Sequence, residues 1–229
     1  MKILAIAADP FEARPWLQAC PAGEPCPWPL SFAQRTSWNG HTLYAVANGP
    51  GPGLAAAALE LAVKNAGPFD ALFSIGLCGA LDPALAHNAI CSATEVSDGA
   101  QSWPAVPLPG ATPIRLLSLD RFLAHPDEKR QWHNKGYAAI EMEAAPLARY
   151  AAQHRIPFYA VKSVSDLASD SFSLDFNRFR DADGRFQKNK IALAALRNPF
   201  RYFPDLYRIG SRGFAAAHKL GEFLVPSKL

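Results

Sequence analysis

Long apolar runs are what this chain of 229 residues most plainly lacks. No stretch approaches the ~18 uninterrupted apolar residues of a membrane span, because Glu60, Lys64, Asp70 and Pro83 break the apolar middle of the sequence. The apolar run in residues 1–9 is too short for a secretory signal and reads as a buried first strand, so a cytoplasmic protein is expected. Cysteine is scarce too, and four in a chain of this size do not build a disulfide framework. Cys20 and Cys26 flank a Pro/Gly loop, and Cys78 and Cys91 fall in different elements. No close Cys or His pair has zinc spacing, so reduced thiols and no metal are expected.

Charge is modest, at 19% of residues against 49% hydrophobic, which is the balance of a folded globular chain with one sizeable core. It is also unevenly placed. Residues 186–229 hold eight Lys/Arg against Asp205 and Glu222, a net of +6, and the whole-chain total of +3 leaves the first 185 residues at −3. A mildly acidic body does not suit nucleic acid. The basic segment is interleaved with Phe200, Tyr202, Phe203, Leu206, Tyr207, Ile209 and Phe214. This divides the chain into a body, 1–185, and a basic amphipathic helical extension, 186–229.

Along the body, apolar strands alternate with helical segments. Strands are expected at 3–8, 43–48, 71–75, 89–94, 114–119, 137–141 and 158–164, and helices at 54–64, 128–134 and 144–154. Residues 103–113 read as a Pro-rich surface loop or lid. The alternation predicts an α/β fold, a three-layer α/β/α sandwich with a mixed central sheet.

Two glycine turns punctuate this pattern, one at 48–53 containing Gly49, Gly51 and Gly53, the other at 74–81 containing Gly76 and Gly79. Further on, one strand ends in Glu141-Met142-Glu143 and another in Ser165-Asp166, so two carboxylates are expected at the carboxyl ends of neighbouring strands. Ligands of α/β sheets bind at such ends. In this order, and with the segment 119–123, these elements resemble the nucleoside phosphorylase/nucleosidase family, which includes the methylthioadenosine/S-adenosylhomocysteine nucleosidases. The resemblance covers most of the first 180 residues. It implies a nucleoside substrate, cleavage of its N-glycosidic bond, a homo-oligomer and no cofactor.

Carried over residue by residue, the resemblance makes Asp166 the acid that protonates the purine, and Glu143 the residue that holds the ribose hydroxyls with Met142 packed under the sugar. Phe122, Leu123, Cys78, Gly79, Ser165 and Phe176 complete the substrate pocket. Glu12 stands where the nucleosidase branch has a water-activating glutamate. The residues allow plainer readings: Asp166 as a turn cap for Leu167 onward, Glu143 as a solvated first-turn glutamate, Glu12 as an ordinary helix-start acid, Met142 and Cys78 as core. Glu141 reads as structural. A carboxyl group at a desolvated strand end is expected to hold its proton toward neutrality, which suits Asp166 to acid catalysis.

Two departures from the nucleosidase pattern stand out. Leu77 replaces a usual serine and makes the chamber more apolar, and Lys162 replaces a usual arginine. Lys162 is expected either to pair with Glu12 or to run its ammonium outward to solvent. Water or phosphate could be the acceptor; for phosphate, Gly51 N–H, Arg14 and Ser74 are the candidates, with Pro50 and Pro52 supplying no donor. The motif 181–185 and the basic-aromatic run after it resemble the carboxyl end of hopanoid-associated phosphorylases. That likeness implies adenosylhopane as substrate and peripheral contact of residues 186–220 with anionic membrane. The alternatives are a water-soluble purine nucleoside, a futalosine-type substrate, or binding without turnover.

Overall fold

The computed structural model describes residues 1–182 and 184–228; Asp183, inside the 181–185 motif, and Leu229, the end of the basic extension, lie outside the described residues. In chain order the elements are β1 (Lys2–Ala7), α1 (Pro10–Gln18), β2 (Glu24–Pro25), β3 (Phe32–Trp38), β4 (His41–Ala47), α2 (Pro52–Ala66), β5 (Ala71–Ala80) and β6 (Ile90–Ser97). Then come β7 (Ser102–Pro104), β8 (Thr112–Ser118), α3 (Pro126–His133), β9 (Ala139–Glu141), α4 (Ala144–His154), β10 (Phe158–Asp166), a 3-10 turn (Phe176–Phe179), α5 (Lys188–Arg197) and α6 (Pro199–Leu224).

Strand β1 lies between β4 and β5 and is parallel to both, and its alternating side chains explain the layers. Leu4 and Ile6 face Ala55, Ala58, Leu59 and Ala62 of α2 and the apolar side of α4. Ile3, Ala5 and Ala7 face Trp16 and Leu17 of α1 and Leu220 and Leu224 of α6. Both faces are covered, which is why β1 and the start of β5 are apolar throughout rather than alternating. The fold is the expected mixed α/β architecture, with one refinement. β5 pairs with β10, β10 with β6, β6 with β8, β8 with β9, and β9 back with β5, so five strands close into a ring.

Several expectations need correction. β5 does not stop at Ile75; it runs on through the second glycine turn to Ala80, because β10 on one side and β9 on the other supply hydrogen-bond partners to that length. The two carboxylate-bearing strands are therefore not neighbours but flank β5. Strands β2 and β3 were not anticipated, and part of the Pro-rich loop is β7, where Trp103 pairs with Val96. The extension is not separate from the body in its packing: Leu220 and Leu224 are fully buried beside Trp16, and Trp38 Nε1 donates to the Leu224 carbonyl at 3.1 Å. Charge marked residues 186–229 as a unit, but the last turns of α6 belong to the core.

Leu220→Ala is accordingly expected to cost about 2–5 kcal/mol in chemical denaturation, the range for truncating a buried leucine. A loss below about 1 kcal/mol would show that α6 is an appendage.

Candidate active site

The site is built on the far end of β5, where two glycines leave backbone bare for two carboxyl groups. Gly76 has φ +137, which side chains disfavour, and a Cβ there would lie 2.7 Å from Glu12 Oε2. Three residues on, a Cβ at Gly79 would lie 2.7 Å from Asp166 Oδ2. Glu12 and Asp166, 154 residues apart in the numbering, are thus laid against one strand.

Glu12 arrives from the first turn of α1. Asp9 caps that helix, accepting from Phe11 N at 3.2 Å, and Pro10 occupies the first turn, where its missing N–H costs nothing. Glu12 is the third residue of the resulting capping box, its Oε2 accepting from Ala8 N at 2.9 Å and Asp9 N at 3.4 Å. It is a helix-start acid and a buried site residue at once. Burial raises its carboxyl group to about pKa 7, against the opposing pull of the Lys162 ammonium.

Glu143 is buried rather than solvated, and its Oε1 accepts from Gly51 N at 2.8 Å, which ties the first glycine turn to the β9–α4 junction. Gly51 N–H is therefore engaged by a carboxyl group. Capping of α4 falls instead to Glu141, which accepts from Glu143 N and Ala144 N at 3.0–3.1 Å. Burial, reinforced by the Glu141 charge, raises Glu143 to about pKa 8. Met142 is half-buried between the two glutamates.

Lys162 corrects both expectations held for it. It neither pairs directly with Glu12 nor reaches solvent: it is fully buried, with its ammonium 2.9 Å from Glu141 Oε2, 3.0 Å from Ser74 Oγ and 3.4 Å from the Ile75 carbonyl. Burial alone would depress it, yet the carboxyl groups of Glu141, Glu143 and Glu12 outweigh burial and raise it above the ordinary lysine range. Ser74 is thus a buried support for Lys162. Cys78 is buried as well, its thiol raised well above the ordinary range by its hydrogen bond to Cys91 and by burial, so it is no thiolate nucleophile.

Asp166 ends β10. Its Oδ2 meets the ammonium of buried Lys129 at 2.5 Å, and its Oδ1 lies 3.1 Å from Ser165 Oγ, which also reaches the Cys78 carbonyl at 3.2 Å. It is not a turn cap. Asp170 does that work, accepting from Leu167 N at 2.7 Å. In front of Asp166 lies a cavity of about 390 Å³ lined mostly by apolar groups, among them Phe11, Leu77, Phe122, Phe172 and Phe214. Phe122 stands edge-on to Phe172 and to Phe176, with its backbone held by Asn177 at 2.8 and 2.9 Å.

Two expected residues fall elsewhere. Leu123 points into a separate cluster with Leu81, Leu117, Tyr137 and Ile140. Arg14 is exposed and borders a different depression with Cys20, Phe32 and Gln34.

Other residues were missed. The Arg180 guanidinium pairs with Asp120 at 2.6 Å directly over Gly51, and Arg185 donates to the Asn48 carbonyl at 3.0 Å, so these two arginines cover the first glycine turn. Arg208 and Arg212 of α6 line the Asp166 cavity and bind Asp170, at 3.5 and 2.8 Å, and Arg208 also binds Asp205 at 2.9 Å. These contacts pin α6 to the loop after Asp166.

Residues 114–197 match the Phosphorylase superfamily. Among curated proteins, the chain is 45% identical over 47 residues to the 5′-methylthioadenosine/S-adenosylhomocysteine nucleosidase of an Exiguobacterium species, covering 20% of each chain. It is 36% identical over 66 residues to that of Listeria monocytogenes, 28% of each. The matched segments thus span only 20% and 28% of these relatives' lengths. Similar solved structures include the S. pneumoniae nucleosidase with a transition-state inhibitor, at TM-score 0.72 and 17% identity, covering 98% of this chain and 97% of that one. A futalosine hydrolase mutant of Helicobacter pylori superposes at TM-score 0.69 and 14% identity, covering 98% and 96%.

Because Glu12 and Glu143 are both raised, the folded protein binds protons more tightly than the unfolded chain from the ordinary carboxyl range upward. The stability they contribute is complete below that range and is lost as pH rises through about 7 for Glu12 and about 8 for Glu143. The unliganded protein should therefore denature more easily at about pH 9 than at about pH 6, and the double variant E12Q/E143Q should flatten that slope. A wild-type midpoint that climbs across the interval would contradict the burial of these groups.

Proposed function

We propose that this chain, a phosphorylase-superfamily protein, hydrolyses the N-glycosidic bond of a 5′-substituted adenosine and releases adenine. The carrying observation is that Glu12 and Asp166 lie against the bare backbone of Gly76 and Gly79 on one strand, with Glu143 buried in the same charge cluster as Glu12. Cleavage leaves electron density on the purine and positive charge on the sugar, so the enzyme must act at both ends of the bond. Asp166, facing the cavity with Phe122, supplies a proton to the purine. Glu143 binds the ribose hydroxyls and, in its ionised form, favours positive charge at the anomeric carbon.

Glu12, with a carboxyl group near pKa 7, is a base matched to neutral pH and takes the proton of the attacking water. Water is favoured over phosphate because Arg14 faces away, Gly51 N–H is committed to Glu143, and Lys162 is occupied by Glu141. Arg180 and Arg185, which flank the first glycine turn, favour the second reading, phosphorolysis.

For the 5′-substituent we propose a bulky apolar group, with adenosylhopane the best-fitting substrate and a water-soluble methylthioadenosine or futalosine type the alternative. Leu77 gives the cavity an apolar wall. Of the eight exposed large hydrophobic residues among those described, six lie in α5 and α6: Leu193, Leu196, Phe200, Phe203, Tyr207 and Phe214. Lys188, Lys190, Arg197 and Arg201 accompany them, and Phe214 also borders the cavity. Exposed apolar groups ringed by cations suit an anionic lipid surface. No helix among the described residues is long and apolar enough to cross a membrane, so the contact would be peripheral.

D166N should lower adenine release by ~10²- to 10⁴-fold with nucleoside binding largely intact, as for a lost general acid. Near wild-type turnover would remove Asp166 from the chemistry. E143Q should impair ribosides far more than 2′-deoxyribosides, and equal losses on both would make Glu143 structural. The full-length protein should co-sediment with anionic vesicles at low salt and detach as salt screens the charges. Absence of that binding would favour a water-soluble substrate.

A further inference from the structure

Helix α3 reads Pro-Asp-Glu-Lys-Arg-Gln-Trp-His, and Lys129 is its one buried residue. A lysine pays more desolvation in such a place than an apolar residue of similar size, so its partners should repay it. They do so at the site. Its ammonium donates to Asp166 Oδ2 at 2.5 Å and to the Leu167 carbonyl at 2.7 Å, and it lies 5.8 Å from the centre of the Phe172 ring. The lysine therefore grips the last residue of β10 and the first residue after it.

We propose that Lys129 is the positioning residue of Asp166: it fixes the carboxyl group by Oδ2, so that Oδ1, which also accepts from Ser165 Oγ at 3.1 Å, is turned to the purine, and it stabilises the carboxylate formed when the proton departs. The inference rests on the adenine-releasing reading above. In the step concerned, Asp166 first takes a proton from solvent on Oδ1; that Oδ1–H bond then breaks as the purine N7–H bond forms. The electron pair of the C1′–N9 bond passes to the purine, and the negative charge left on Asp166 faces the Lys129 ammonium. A fixed cation aimed at developing charge acts without reorganisation, so proton donation becomes easier.

Other charged and titratable groups surround Asp166 but do not replace Lys129. Arg208 and Arg212 of α6 line the same cavity and are bound by Asp170, with Asp205 sharing Arg208. Cys78 of β5 is a protonated thiol bonded to Cys91. His87, in the loop between β5 and β6, has both ring nitrogens buried without a hydrogen bond, and burial and Arg212 both push its ring below the ordinary histidine range.

The test is Lys129→Met and Lys129→Arg in the full-length protein. K129M should lower kcat for adenine release by ~10- to 100-fold with little change in KM, and should move the alkaline limb of the pH profile upward, because the carboxylate has lost its counter-charge. The loss should be at least about tenfold smaller on a 4-nitrophenyl riboside, whose leaving group needs no proton. K129R should recover most of the rate and the original limb. If methionine prevents folding, Lys129→Gln carries the same test. A readout without substrate is the ¹³C resonance of the Asp166 carboxyl group, which should titrate at higher pH in the neutral variants than in the wild type or K129R. Equal losses on both leaving groups, with an unmoved Asp166 titration, would overturn the proposal and make Lys129 structural. Failure of the wild type to release adenine would instead contradict the proposed function, while the carboxyl titration would still decide whether Lys129 acts on Asp166.

Discussion

Three buried carboxyl groups, Glu12, Glu141 and Glu143, are gathered around one buried ammonium, that of Lys162. One positive charge cannot neutralise three negative ones in a medium that screens poorly. The ammonium sits against Glu141, while burial raises Glu12 to about 7 and burial, reinforced by the Glu141 charge, raises Glu143 to about 8. Two carboxyl groups thereby titrate near neutral pH, the range suited to the proposed base for water and the proposed partner of a ribose hydroxyl. The same burial weakens the unliganded fold as pH rises, so stability and the proposed chemistry draw on one arrangement.

The geometry that sustains this cluster comes from strand β5. Gly76 and Gly79 keep its surface free of side chains where Glu12 and Asp166 lie, while β9 and β10 hold the carboxylates on either side. The ring closed by these strands fixes the distance across the site, because moving one carboxylate would require a shift in strand register. Helix α6 adds the outer wall. Its last turns are anchored in the core by Leu220 and Leu224, and Arg208 and Arg212 clasp Asp170 of the loop after Asp166. What began as a basic tail is a structural part of the pocket at one end and an exposed apolar surface at the other.

The parts of this site that could be read from the sequence are those written in contiguous residues. Glu141-Met142-Glu143, Ser165-Asp166 and the two glycine turns each carry a strand end or a turn within a few positions, and the structure brings them to one end of β5. What could not be read depends on partners far apart in the chain. Lys129 meets Asp166 from 37 residues away, and nothing within a helix so rich in charge says which side chain turns inward. Arg14 was misplaced for a simpler reason. It lies two residues after Glu12, roughly 200° around the helix, so a helix that aims Glu12 at the site aims Arg14 away. Strand β3 escaped notice because Gln34, Arg35 and Ser37 interrupt its apolar pattern; β4 on one edge and short β2 on the other hold it.

The central claim is that water, activated by Glu12, attacks the sugar of an adenine nucleoside. The most direct measurement is a single-turnover reaction of the full-length protein with a 5′-substituted adenosine in ¹⁸O-labelled water containing phosphate, with both products analysed by mass spectrometry. The account predicts unlabelled adenine and a free sugar carrying one ¹⁸O at its anomeric carbon. A sugar 1-phosphate without label, or no adenine at all, would contradict it.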